Sequence, residues 1–223
     1  MMYTFLLYFM LFIIYSFIGW VMEVLVFLFE DKKFINRGFL IGPYCPIYGF
    51  CSVFMVLTFH KYMDSPFVLF IMASLLCTVI EYVTSFIMEK LFNTRWWDYS
   101  DIPFNINGRV CLHNSVIFGI LGCLLVYYVN PFIENFLRNI PVDLLIGLST
   151  AILSIFIADN VTSFNIISRV KSTANIILKD STEEITEKVK EILRNKSFLN
   201  RRLLDAFPNL KSIIKEKINN KRN

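Results

Sequence analysis

Residues 3–29 read YTFLLYFMLFIIYSFIGWVMEVLVFLF, an apolar run whose one charged residue is Glu23. A helix rises ~1.5 Å per residue, and ~20 apolar residues cross the ~30 Å hydrocarbon core of a bilayer. This stretch is therefore long enough to span a membrane. The same ruler, moved along the chain, marks four more segments: Phe39 to Phe59, Pro66 to Met88, Val110 to Val129, and Val142 to about Asp159. Gly42, Pro43, Pro46 and Gly49 interrupt the opening of the second. Its helix is expected from about Ile47, after irregular backbone that must be shielded from lipid. The expected fold class is all-α: a polytopic membrane helix bundle of about five spans, the second broken at its start, with a cytoplasmic helical tail. Residues 1–160 form the transmembrane domain and 161–223 the tail.

Composition points the same way. Of 223 residues 56% are hydrophobic and 16% aromatic, and the mean hydropathy of +0.56 exceeds what a soluble surface allows. The net charge of +4 conceals a division along the chain, since 14 of the 22 Lys and Arg lie from Arg169 onward, against 7 acids. Such a basic tail suits an anionic inner leaflet or an acidic partner, and equally a solvated helical segment packed on its own membrane domain. Ser181 and Glu184 make a capping box for a helix carrying Ile185, Val189, Ile192 and Leu193, and shorter amphipathic stretches follow it. The first apolar run has neither a basic flank nor a small-residue cleavage site and is longer than a secretory signal, so it is expected to persist in the mature protein. The five cysteines have no metal-site or disulfide spacing and read as buried thiols.

Lys and Arg near span ends stay on the cytoplasmic side. Lys32, Lys33 and Arg37 occupy the first loop and Lys90, Arg95 and Arg109 the third, whereas the second and fourth hold only Lys61 and Arg138. The expected topology places the N-terminus outside and the tail inside, in the cell membrane.

Polar groups at membrane depth are costly and mark cavities, partners or pathways. Glu23 and Glu81 fall at one depth, ~10 Å from the cytoplasmic face. Around that level the sequence places Asn36, Arg37, Glu89, Trp97, Asp98, Asn107, Arg109 and His113. These ten residues are the candidates for binding an ion or substrate, in one polar chamber open to the cytoplasm, with Arg37 and Arg109 as counter-ions. Glu81, Ser85 and Glu89 step by four and share a helix face. Plainer readings stand beside these: Glu23 and Glu81 as hydrogen-bonded tethers between spans, and Trp96, Trp97 and Tyr99 as an interfacial anchor. His113 lacks a second ligand at metal-site spacing, so no metal is expected. With no Walker, nucleophile-elbow or dinucleotide fingerprint, no cofactor is expected either, and no nucleic-acid partner is indicated.

The same residues carry a resemblance. Gly19-Trp20 with Glu23, Asn36-Arg37-Gly38-Phe39-Leu40 through Gly42-Pro43, and Cys45-Pro46-Ile47-Tyr48-Gly49 resemble the putative ABC-transporter type IV family of small bacterial membrane proteins. So do Glu81-Tyr82 with Ser85 and Glu89, Trp96-Trp97-Asp98-Tyr99-Ser100, and Asn105-Ile106-Asn107-Gly108-Arg109. In the tail, Asn200-Arg201-Arg202-Leu203-Leu204 leading into Ala206-Phe207-Pro208 is similar to the family's C-terminal signature. Phe50 and Cys51 depart from it, where a small residue is expected. The resemblance implies a permease role and brings no catalytic assignment. Three functions follow: a transport subunit served by a separate ATPase or other membrane subunits, in an oligomer or larger complex; an enzyme acting on a lipid or lipid-linked substrate, with Glu23 or Glu81 as general base; and a scaffold or regulator whose charges lock the bundle.

Overall fold

The structure, a computed structural model, describes residues 2–179 apart from 33–35, 37, 39, 93, 94 and 96. Lys33, Arg37, Trp96 and the tail helices expected from Ser181 lie outside the described residues.

Among the described residues six α-helices follow one another: α1 (Met2–Asp31), α2 (Pro46–Thr58), α3 (Pro66–Phe92), α4 (Leu112–Leu124), α5 (Asn130–Arg138) and α6 (Val142–Lys179). Among the described residues four stretches are long and apolar enough to cross a membrane: Met2–Val26, Pro66–Leu91, Leu112–Arg138 and Val142–Asn165. The expected bundle is present, and this is a multi-pass membrane protein. The second span is the exception, since the 13 residues of α2 rise only ~20 Å. Residues 40–45 ahead of it are irregular. Pro46 opens α2, where its missing N–H costs nothing.

The fourth span runs further than the apolar run alone marks. A π-helical turn, Leu125–Val129, joins α4 to α5, so the rod continues past Val129 and through Pro131 to Arg138. The wider turn accommodates a proline that an uninterrupted α-helix would reject. Tyr15 on α1 donates to Asn130 Oδ1 at 2.7 Å and ties down this joint. Likewise α6 passes residue 160 as one helix and reaches Lys179.

Two apolar clusters hold the helices together. Cys51 and Met55 of α2, with Phe59 just past its end, pack on Leu69, Ala73 and Cys77 of α3 and on Val126. Leu7, Met10, Leu11 and Tyr15 of α1 meet Leu137 of α5 and Leu145 of α6. Large apolar side chains such as Phe5, Phe67, Leu75, Val79, Ile120 and Ile155 point outward, as a lipid-facing surface requires. All five cysteines are free, and only Cys123 is less than fully buried.

Between α3 and α4 the chain makes a small hairpin, β1 (Asn105–Ile106) against β2 (Val110–Cys111), with Asn105 opposite Cys111 and Ile106 opposite Val110. This hairpin, residues 40–45 and the adjoining turns of α1, α3 and α6 are where the polar residues gather.

Candidate functional site

The irregular lead into α2 is held by side chains from two other helices. Asp159, on α6, accepts the backbone N–H of Ile41 at 2.9 Å and of Gly42 at 2.7 Å, the Tyr44 hydroxyl at 2.6 Å, and the Ser163 hydroxyl at 2.8 Å. Four donors around one carboxylate satisfy the broken backbone that lipid could not. From α1, Trp20 Nε1 donates to Asn36 Oδ1 at 2.7 Å, while Asn36 Nδ2 donates to the Ile41 carbonyl at 3.1 Å. The Cys45 N–H reaches the Ser16 carbonyl at 2.9 Å. Gly49 makes this approach possible, because a Cβ there would overlap Ser16 and the Phe12 carbonyl.

One turn into α2, Tyr48 lies against Gly19 and donates to Glu23 Oε1 at 2.5 Å. Glu81 is served in the same way by the loop, with Tyr99 donating to its Oε1 at 3.1 Å. The two carboxylates are near enough to act on one another electrostatically. Glu81 is only 6% exposed. Its second oxygen, Oε2, is buried and has no hydrogen-bond partner among the described residues. Burial first, and then the Glu81 charge, push the Tyr99 phenol well above its ordinary range, so it stays a hydrogen-bond donor.

A third group sits at the end of α3. Arg109 pairs with Glu89 Oε2 at 2.5 Å and reaches the Ser85 hydroxyl at 3.5 Å. Its guanidinium lies 5.7 Å from the Tyr82 ring centre and 5.4 Å from that of Phe86. Arg95 adds a second contact to Glu89 at 3.3 Å and one to Asp98 at 3.4 Å. The hairpin sets this up. Trp97 Nε1 donates to the Arg109 carbonyl at 2.9 Å, the Tyr99 N–H to the Gly108 carbonyl at 2.8 Å, and Asn107 Nδ2 to the Tyr82 hydroxyl at 2.9 Å. Asn107 and Gly108 take positive φ, +54° and +66°, to close the turn. Asp98 accepts the Ser100 hydroxyl and N–H, at 2.5 and 3.0 Å. These bonds, the hydroxyl's first, together with Arg95, hold its carboxyl below the usual range.

Of the ten candidates, nine fall among the described residues. Glu23 and Glu81 each accept a phenol, from Tyr48 and Tyr99, and Glu89 and Arg109 are partners. Asn36 braces the loop before α2, and Trp97 and Asn107 brace the hairpin. Asp98 is exposed and bonded within its own loop, and His113 is exposed in the first turn of α4. Of the two arginines expected as counter-ions, Arg109 pairs with Glu89, two turns beyond Glu81, because the hairpin delivers it to the end of α3, and Arg37 lies outside the described residues. Asp159 is the residue that sequence reading passed over, appearing there only as the end of the last span. An acid near the end of that span was the available signal; two of its four partners are backbone amides, which leave no mark in a sequence.

The description Putative ABC-transporter type IV matches residues 10–164. The chain belongs to this family. No curated protein and no solved structure matches it. The match in this type IV family protein takes in all ten candidates and Asp159, and it stops before the tail motif at residues 200–208. Family and apolar helices together fit a transport-related membrane protein.

Proposed function

We propose that this chain is the permease-like subunit of a transport complex in the cell membrane, with its polar cluster opening to the cytoplasm. The observation that supports this best is the interrupted second span. Residues 40–45 are irregular, are fastened by Asp159, and lie beside a helix only 13 residues long. Unwound backbone near the middle of a bundle, flanked by carboxylates, is how transporters present dipoles and charges to an ion or small solute. Glu23 and Glu81 supply the carboxylates. The sequence carries no phosphate-binding loop, so the energy comes from a separate ATPase or from an ion gradient. Few helices line the cluster, which calls for further membrane subunits or a second copy around it.

The test is purification of the complex from native membranes in mild detergent, followed by reconstitution in liposomes with a potential-sensitive dye. A nucleotide-binding subunit in the complex, or flux that Glu81→Gln abolishes, is the expected result. A complex that never contains such a subunit and passes no solute removes the proposal.

One observation favours a second reading. Asp159 and Arg109 are engaged by several protein partners each, as expected of a scaffold locked by its polar groups. Under that reading Asp159→Ala lowers the amount of folded protein, while Glu81→Gln leaves every partner in the native complex unchanged.

A further inference from the structure

Among the described residues Glu81 keeps a buried carboxylate oxygen that no donor serves, and the Ser149 hydroxyl is the other such buried oxygen without an ion pair. Glu81 Oε1 takes the Tyr99 hydroxyl, and Oε2 is buried without a hydrogen bond among the described residues. The donors beside it are spent. A phenol has one O–H; that of Tyr99 goes to Glu81 itself and that of Tyr48 to Glu23. What both phenols still offer is lone pairs. Among the described residues the titratable groups whose fields meet in this cluster are Glu23 from α1, Cys45 just ahead of α2, Tyr48 and Cys51 from α2, Cys77 from α3, and Tyr99 with Cys111 from the loop. None of them is a cation. Arg109 is held further along α3 by Glu89 and Ser85.

A carboxylate oxygen removed from water and left unpaired is strongly disfavoured, and a positive ligand removes the penalty. The oxygens here are hard donors, suited to a proton or an alkali cation and not to a soft metal. No group of three His, Cys, Asp or Glu able to hold a metal ion occurs among the described residues. Building on the transport reading, we infer that Glu81 is the binding site for one small positive ligand, a proton or a monovalent alkali cation, held on Oε2 beside the Tyr99 oxygen. In a transport subunit that ligand is the coupling ion or the cargo.

The experiment uses the full chain in lipid nanodiscs. Infrared difference spectra are recorded in the carboxyl region while pH, sodium or potassium is stepped, with N-methylglucamine holding the ionic strength. The wild type is expected to show a carboxyl band that changes saturably. Glu81→Gln removes it, Tyr99→Phe shifts its frequency, and Glu134→Gln, at the far end of the fourth span, leaves it alone. If the alkali cation is the ligand, its midpoint concentration rises about tenfold for each unit of pH lost, as the proton competes for the same oxygen. A band that answers to pH and ignores both metals identifies the ligand as the proton. A wild-type spectrum that does not differ from that of Glu81→Gln at any step of pH or cation overturns the inference. Should Glu81→Gln not accumulate, the Tyr99→Phe frequency shift decides, and an unshifted band overturns the assignment. Binding intact in a protein without flux removes the transport reading and leaves the site. Flux through a protein whose band is silent does the reverse.

Discussion

At the scale of single residues, Asp159 and Gly19 hold the second span in opposite ways, one by bonding and one by leaving room. The Asp159 carboxylate takes two backbone amides and a phenol of the lead into α2. Hydrogen bonds to a charged group are each worth ~1.5 to 3 kcal/mol, and stranding the buried donors costs about as much again. Asp159→Ala is therefore expected to lower stability by about 3 kcal/mol or more, and Asp159→Asn, which keeps one acceptor oxygen, by less. Survival of the folded monomer through size exclusion after graded heating reads both, and equal survival of the alanine variant and the wild type contradicts the clamp. Gly19 acts by absence. Any Cβ there overlaps the Tyr48 ring, so Gly19→Ala pushes the phenol off Glu23 at a cost of ~1 to 3 kcal/mol. Because the damage passes through one side chain, Cβ included, the double variant Gly19→Ala with Tyr48→Gly should be no less stable than Tyr48→Gly alone. Additive losses would show that the glycine serves some other contact.

At the scale of elements, the hairpin of residues 97–111 is a built loop whose parts can be unfastened separately. Gly108 combines a φ of +66° with contact against Ser100 and Asp98. Gly108→Ala adds ~1 to 2 kcal/mol of backbone strain to that overlap, and is expected to expose the Tyr99 amide to hydrogen exchange while the amides of α3 remain protected. The same amide reports on Asp98. A carboxyl held below its ordinary range stabilises the loop in full above its unfolded value of ~3.9, and that stability is lost as pH falls through the lowered folded value. Tyr99 protection, corrected for intrinsic exchange, should thus be flat from about pH 8 to about pH 5 and fall only below about pH 4; loosening at neutral pH would mean another group controls the loop. These elements also separate what was legible in the sequence from what was not. The spans followed from the lengths of apolar runs, and the break before α2 from Pro43 and Pro46, since both signals are local. The choice of Glu89 over Glu81 as the partner of Arg109 depends on where a hairpin closed by Asn107 and Gly108 delivers its last residue, and no spacing along the chain encodes that. The run of helix through Pro131 was hidden for a related reason: a π turn absorbs the proline, and nothing in LVYYVNP announces it.

At the scale of the molecule, the polar cluster faces the cytoplasm only if the bundle is inserted with its N-terminus outside. Lys32 follows α1, Lys90 and Arg95 sit at the end of α3, and Arg109 precedes α4; the alternation of helices brings those ends together, as the Glu89 contacts with Arg95 and Arg109 attest. Lys61 and Arg138 belong to the other ends. Lys and Arg resist translocation, so the arginine-rich end should be internal, with Asp159, Glu81 and the broken lead into α2 on the same side. Exposed residues at the two ends make this measurable. In a Cys123→Ser background, where the remaining cysteines are buried, Lys61→Cys is expected to react with a membrane-impermeant maleimide on intact cells. Asp101→Cys, exposed in the hairpin loop, should react only after permeabilisation. The reverse pattern would turn the cluster outward, where an ATPase or an acidic inner leaflet cannot reach it, and a cation bound at Glu81 would then be captured from outside the cell. Labelling of both positions on intact cells would instead point to insertion in two orientations, for which the unequal split of basic residues between the two ends leaves little room.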